Sequence, residues 1–354
     1  MILQQSFSES WIRSFQNRPQ RANPLIIEKE IYALQLLEYL AKSNIIFLFK
    51  GGTCLSLLLQ EFTRFSVDID ILTTSSNQEV DQAMLHWDIH AHFHRWEEQV
   101  RFQDSKIQKR HFKFYYDSVI SKQEEFVLLD IVFDEWSALE VQKVKIDYLI
   151  LNTSAPYDDV VTPTLSVMLM DKLTAFAPKT IGITYDSEKY TEIIKQMYDV
   201  GKIGSHLIPD NHTIPYYGYF AKKQIKWRNL SNTVEDCLMD TILCCVNFLS
   251  EGELHREEYL QIERSIRGFH GYVFGDRYSI LDFQNSVVDA LKVATIVWVE
   301  GYQNWIGFQP SLPQIQTHPY FSGRFRSLRG NLMSSGRFDS WIQSVSILIQ
   351  KKII

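Results

Sequence analysis

Apolar positions recur along this chain with two different periods, and the change from one to the other divides it. Residues 25–41 carry Ile27, Ile31, Leu34, Leu37 and Leu40 at helical spacing behind Asn23-Pro24, a capping residue and a proline suited to a first turn. That segment reads as an amphipathic helix. Ile45–Phe49 is a short apolar run read as a buried strand; Lys50-Gly51-Gly52-Thr53 breaks it, and Cys54–Gln60 reads as a helix. Val67–Leu72 reads as a strand and Asn77–Leu85 as a helix. Further on, Phe112, Phe114 and Tyr116 alternate with His111, Lys113 and Tyr115. Glu125–Phe133 is apolar around Asp130, and Val144–Leu151 is another expected strand. After Pro156 and Pro163 the period becomes helical, at Leu165–Ala177, Asp186–Val200, Thr233–Leu249 and Ser279–Val299. The expected organisation is α+β: a mixed part over residues 1–160 and a mostly helical part over 161–354.

Polar residues inside these apolar runs are the candidates for chemistry. Gly51 and Gly52 sit between a strand and a helix, where the lack of a Cβ lets backbone approach an anion and the helix start offers free N–H groups. Such a turn is also common with no ligand at all. In Arg64-Phe65-Ser66-Val67-Asp68-Ile69-Asp70-Ile71-Leu72, strand geometry turns Asp68 and Asp70 to one face and Val67, Ile69 and Ile71 to the other. Two adjacent carboxylates repel, and a divalent cation removes the repulsion; a solvated edge strand is the alternative. Asp130 is a lone carboxylate in a buried-type strand, which is costly. If its strand pairs with that of Asp68 and Asp70, three carboxylates converge as a two-metal phosphoryl-transfer site requires. Lys172 sits among Leu165, Met168, Leu169 and Phe176, so it either snorkels or meets a specific anion. Asp199 lies four residues after Lys195 and would make an ordinary helical ion pair.

Composition narrows the partners. The 354 residues include 36 Lys and Arg against 42 Asp and Glu, a net charge of -6, with 45% hydrophobic and 22% charged residues. This is globular composition, and it excludes broad, sequence-blind coating of nucleic acid. An RNA partner would need local patches. Lys222–Arg228, with Trp227, is one; Arg324, Arg326, Arg329 and Arg337 among Tyr320, Phe321, Phe325 and Phe338 are another; Lys106, Lys109 and Arg110 add a third. His90, His92 and His94 would share one strand face and suit zinc, but no fourth ligand stands at a useful spacing. The four cysteines, Cys54, Cys237, Cys244 and Cys245, form no CxxC pair, and Met1–Ser6 lacks the basic start of a signal peptide. Buried reduced thiols, a cytoplasmic location and no membrane span are expected.

Lys50-Gly51-Gly52-Thr53, Arg64-Phe65-Ser66-x-Asp68-Ile69-Asp70, Asp130, Asp171-Lys172-Leu173-Thr174-Ala175 and Lys195-x-x-x-Asp199 follow one another over about 150 residues. In that order they resemble the AbiEii/AbiGii toxin family of the DNA polymerase β-like nucleotidyltransferase superfamily. The chain departs from it at Lys195-Gln196, where many members carry Arg-Asp. The resemblance implies a small mixed sheet flanked by helices, then a helical domain. It also implies transfer of a nucleoside monophosphate from an NTP to an acceptor, often a tRNA 3′ end in related toxins, within a bacterial toxin–antitoxin or phage-defence system with a cognate antitoxin. By position, Lys50, Gly51, Gly52, Thr53, Arg64 and Ser66 would surround the nucleotide. Asp68, Asp70 and Asp130 would serve two Mg²⁺ ions, Asp130 also helping to deprotonate the acceptor hydroxyl. Lys172 would steady the triphosphate, and Asp199 would orient Lys172 or a nucleotide contact. A small-molecule or protein-hydroxyl acceptor, and a nucleotide-binding module without turnover, remain alternatives.

Overall fold

The structure, a computed structural model, describes residues 1–17, 22–85, 92–99, 108–275, 278–303 and 311–354. The chain divides into two compact units: Met1–Met168 with the segment that begins at Gly271, and Leu169–His270 with Tyr278–Ile354.

The first unit contains α1 (Glu9–Ser14), α2 (Pro24–Lys42), β1 (Phe47–Lys50), α3 (Gly51–Leu59), β2 (Asp68–Thr73), α4 (Asn77–Leu85), β3 (Arg95–Glu98), β4 (Lys109–Asp117), β5 (Glu124–Phe133), β6 (Val141–Lys145) and β7 (Asp159–Pro163). Five strands form one sheet in the order β1-β2-β5-β4-β3, and β6 pairs with β7. Only the β2–β5 pairing in the five-stranded sheet is parallel; the others are antiparallel. One face of the sheet is apolar. Ile69, Ile71, Leu129, Ile131, Phe112 and Phe114 are buried there, with Ile31 and Leu34 of α2 buried in the same unit. Tyr32 of α2 stacks on Tyr116 of β4, ring centroids 3.6 Å apart. The helix starts where the sequence indicates: the Asn23 side chain accepts the Leu25 N–H, and Pro24 occupies the first turn.

The second unit is helical. After α5 (Leu165–Ala175), which the division between the units crosses, come α6 (Tyr190–Gly204), α7 (Ile214–Trp227), α8 (Val234–Leu249), α9 (Arg256–Phe269), α10 (Ile280–Tyr302), α11 (Leu312–Thr317), α12 (Phe325–Ser334) and α13 (Phe338–Gln350). Reciprocal Thr233/Asp236 and Ser279/Asp282 hydrogen bonds start α8 and α10, satisfying N–H groups that a helix end would otherwise expose. The four cysteines are free and buried. No helix among the described residues is long and apolar enough to cross a membrane.

Several local expectations change. The strand expected over Val144–Leu151 is displaced: β6 ends at Lys145, and the stretch after it buries Ile146, Tyr148 and Ile150 while the Tyr148 hydroxyl donates to the Glu61 carbonyl. Anchoring of single side chains there replaces a ladder. The histidine stripe is not a strand face. His90 lies outside the described residues; His92, in a turn, stacks on Phe7, and His94, before β3 begins, pairs with Glu124 at 2.9 Å. In the arginine-rich C-terminal group Arg326 and Arg329 are exposed, and the other two arginines are engaged by acids. Arg324 bridges Glu251 and Glu253, Arg337 pairs with Asp289, and Phe321 and Phe325 pack on buried Trp341. Lys106 lies outside the described residues, and Arg110 is engaged by Asp81 and Glu98. In the α7 group, by contrast, Lys222, Lys226 and Arg228 are exposed, and Lys223 lies over the Tyr219 and Trp227 rings.

Several buried acids were not foreseen, among them Glu28, Glu30 and Glu38 of α2. Glu30 of α2 is 0% exposed. Burial pushes its carboxyl up to about 8; the Ser56 hydroxyl, the Ser66 amide and the Arg64 guanidinium offset part of that rise. The folded-state value lies above the ordinary 4.5, so the folded chain holds the proton longer than the unfolded one. The resulting stabilisation is complete below pH 4.5 and is lost as pH rises through about 8. The thermal midpoint of the wild type is therefore expected to fall between pH 6 and 9 by more than that of Glu30→Gln. Parallel curves in the two proteins would show that another group is responsible.

Candidate functional site

The turn Lys50-Gly51-Gly52 leads directly from β1 into α3, so the break foreseen between strand and helix is itself the first turn of the helix. Gly51 has φ +85°, a conformation that a side chain makes costly, and the N-cap residue Lys50 makes no side-chain cap hydrogen bond. The start of this nine-residue helix carries N–H groups and the positive end of the helix dipole, an arrangement suited to an anion. Close packing gives a second reason for both glycines. A Cβ on Gly51 would stand 2.1 Å from Asp70 Oδ2, and one on Gly52 would stand 2.5 Å from Ser66 Oγ and 2.8 Å from Arg64 Nη2.

Gly51→Ala is accordingly expected to push the Asp70 carboxylate aside and to strain the backbone. The strain should cost about 1–3 kcal/mol in a urea titration. A urea midpoint equal to that of the wild type would mean that Asp70 has room to move without consequence.

Strand register assembles the acids. Asp68 and Asp70 are half-buried on the face opposite buried Ile69 and Ile71. Asp70 stands opposite Lys50 on β1 and opposite Asp130 on β5, and Asp130 stands opposite His111 on β4. Paired residues share a face, so Lys50, Asp70, Asp130 and His111 form one row across four strands spaced about 4.8 Å apart. Asp68 lies one step along β2, facing the same way. Asp130 is 28% exposed, and its Oδ1 lies 2.7 Å from Nδ1 of His111. The two carboxylate strands pair as the convergence argument required. The parallel alignment puts Asp130 beside Asp70, and Asp68 beside Leu128.

The other candidates around the turn are tied into the fold. Thr53 is buried and its hydroxyl donates to the Asp68 carbonyl at 2.7 Å, tying α3 to β2. Arg64 is buried too, and its Nη1 donates to the Phe65 carbonyl. The segment of Arg64 and Phe65 is itself held by a bridge to Val273 and by the Phe65 N–H bonded to the Tyr272 carbonyl.

Lys172 and Asp199 belong to the second unit, where they form a buried ion pair at 2.8 Å with side-chain exposures of 8% and 1%. Lys172 thus meets a specific anion within its own unit instead of snorkelling. Lys195 pairs with Glu192 at 2.7 Å.

Oxygen donors on one face suit Mg²⁺, a hard cation that takes few carboxylates and keeps water and phosphate oxygens in its shell. Asp68 and Asp70, on one strand and partly exposed, fit that demand. Among the described residues no three His, Cys, Asp or Glu side chains stand close enough to enclose a metal on their own. Asp130 is engaged by His111.

Residues 35–238 match the family described as "Nucleotidyl transferase AbiEii toxin, Type IV TA system". No curated protein matches the chain. Among solved structures, JHP933 from Helicobacter pylori is 14% identical, with 68% of this chain and 94% of that one covered and a TM-score of 0.29. An antigenic nucleotidyltransferase-like protein from Paracoccidioides brasiliensis is 12% identical, with 56% and 88% covered and a TM-score of 0.38. Neither likeness is close enough to transfer a residue role.

Proposed function

Because the chain belongs to the AbiEii nucleotidyl transferase toxin family of type IV toxin–antitoxin systems, we propose that it transfers a nucleoside monophosphate from an NTP to an RNA acceptor, tRNA first among them, in a Mg²⁺-dependent reaction. The single observation that carries this reading is the Asp70–Asp130 register, with Asp68 on the same face and the Gly51 start of α3 beside it. Asp68 and Asp70 are the residues that would hold Mg²⁺, which when bound neutralises triphosphate charge and lowers the barrier to losing pyrophosphate. The Gly51 and Gly52 backbone accepts the triphosphate at the helix start. Asp130 draws the proton from the acceptor hydroxyl, a task for a carboxylate held within hydrogen-bond reach of that proton. Lys50 supplies a cation at the β1 end of the same row. The exposed cations of α7 are the surface at which an acidic chain meets RNA, through a few contacts whose strength falls steeply with salt.

The test is incubation with each α-labelled NTP, Mg²⁺ and total tRNA, for the wild type and Asp68→Ala. Label should move to RNA with one or more nucleotides in the wild type only. Transfer to no acceptor, together with unchanged growth arrest by Asp68→Ala on induction, would refute the reading. Label on protein or on a small molecule would replace the acceptor and retain the chemistry. A cognate antitoxin is the partner expected from the family.

A further inference from the structure

The row that carries Asp70 and Asp130 extends to a side chain with no part in the mechanism above. His111 occupies the third position of β4, between strand neighbours Arg110 and Phe112 that turn to the other face. Its imidazole is 12% exposed, and Nδ1 lies 2.7 Å from Asp130 Oδ1. Its backbone is fixed on both sides: β4 pairs with β5 at Asp130, and the His111 carbonyl accepts the Gln99 N–H at 2.7 Å. With Asp130 as the carboxylate, its oxygen accepts in this contact and Nδ1 carries the hydrogen. The imidazole cannot swing away without leaving a partly buried donor unpaired.

We propose that His111 is a positioning residue: its Nδ1–H holds one oxygen of Asp130, fixes the carboxylate's rotation, and leaves the other oxygen to take the acceptor's proton. The inference rests on the base role proposed for Asp130. A carboxylate on a partly exposed strand face otherwise rotates about its last side-chain bond, and a general base works only within hydrogen-bond reach of the proton it abstracts. One short hydrogen bond from a rigid ring on the adjacent strand removes that freedom. The geometry is that of base and orienter in other catalytic constellations, here built from two antiparallel strands in register.

Three variants separate positioning from packing. His111→Ala removes the donor, His111→Asn restores an N–H near the Nδ1 position, and His111→Gln places it near the Nε2 position. With labelled NTP and total tRNA, kcat should fall about 10–100-fold in His111→Ala and His111→Gln with the KM for NTP unchanged. His111→Asn should recover to within about 3-fold of wild type. A second readout needs neither metal nor substrate: ¹⁵N spectra of the apoprotein should show His111 as the Nδ1–H tautomer, and Asp130→Ala should release it toward Nε2–H. Equal kcat in wild type and His111→Ala, no rescue by asparagine, or an Nε2–H tautomer in the wild type would each overturn the proposal. Absence of transfer by the wild type, with the Nδ1–H tautomer present, would instead refute the transferase reading and with it the catalytic part of this one.

Discussion

Replacement of Asp70 by asparagine is expected to abolish nucleotidyl transfer, by about 1,000-fold or more, without loss of folded stability. A loss of that size corresponds to roughly 4 kcal/mol of transition-state stabilisation, the scale of one missing charge at a phosphoryl-transfer site. Asp70 occupies the centre of the cross-strand row, between Lys50 and Asp130, with its Oδ2 against Gly51. Asparagine keeps its shape, so the glycine contact survives and only the charge changes. Stability should hold, or rise by a few tenths of a kcal/mol, because Asp68 and Asp130 lose a like-charged neighbour. The two readouts are the rate of label transfer and the thermal midpoint. Asp134→Asn, at the exit of β5, is the matched control and should leave the rate within a few-fold of wild type. Activity of Asp70→Asn within tenfold of wild type would remove Asp70 from the chemistry.

The largest effect on stability is expected at Asp199. Its removal leaves Lys172, 8% exposed, as a buried cation without its carboxylate. Breaking such a pair from one side costs about 3–5 kcal/mol, whereas replacing both partners by apolar residues of similar size is often close to neutral. Asp199→Ala should therefore lower the urea midpoint of the second unit sharply, reported by its buried tryptophans Trp298 and Trp341. Lys172→Met with Asp199→Leu should recover most of the loss. A cost below about 1 kcal/mol for Asp199→Ala would mean that the pair is not structural. The double variant also decides the role that the family resemblance gives Lys172. A stable but inactive protein would place Lys172 in the chemistry, and a stable, active one would leave the pair to the scaffold.

The contrast between Asp130 and Glu30 shows what could be read before the fold was known. Asp130 interrupts an apolar strand run, and a run of period two makes a lone charge conspicuous. Glu30 sits at the edge of a helical stripe where acids are ordinary, and no periodicity distinguishes it from Glu28 or Lys29. Its burial depends on where α2 packs. His111 was legible as one member of an alternating strand, but its partner lies 19 residues away and is found only through the β4–β5 register. Arg324 and Arg337 are the opposite case. They stand in an arginine-rich run of the sequence, and their carboxylate partners Glu251, Glu253 and Asp289 are 48 to 73 residues distant. Charge counted along a chain carries no record of such pairs.

The sequence by itself determined the alternation that turns Asp68 and Asp70 to one face, the helix starts at Asn23, Thr233 and Ser279, the change from mixed to helical architecture, and the ordered motifs that identify the family. All of these are set by neighbours within a few residues, through backbone sterics, capping and periodic burial. Only the tertiary structure decided that Asp130 falls beside Asp70, that His111 lies within hydrogen-bond distance of Asp130, that the Thr53 hydroxyl bonds the Asp68 carbonyl, and that Lys172 meets Asp199. Those are properties of register and packing between segments far apart in the chain, where a shift of one residue would send every side chain of a strand to the opposite face.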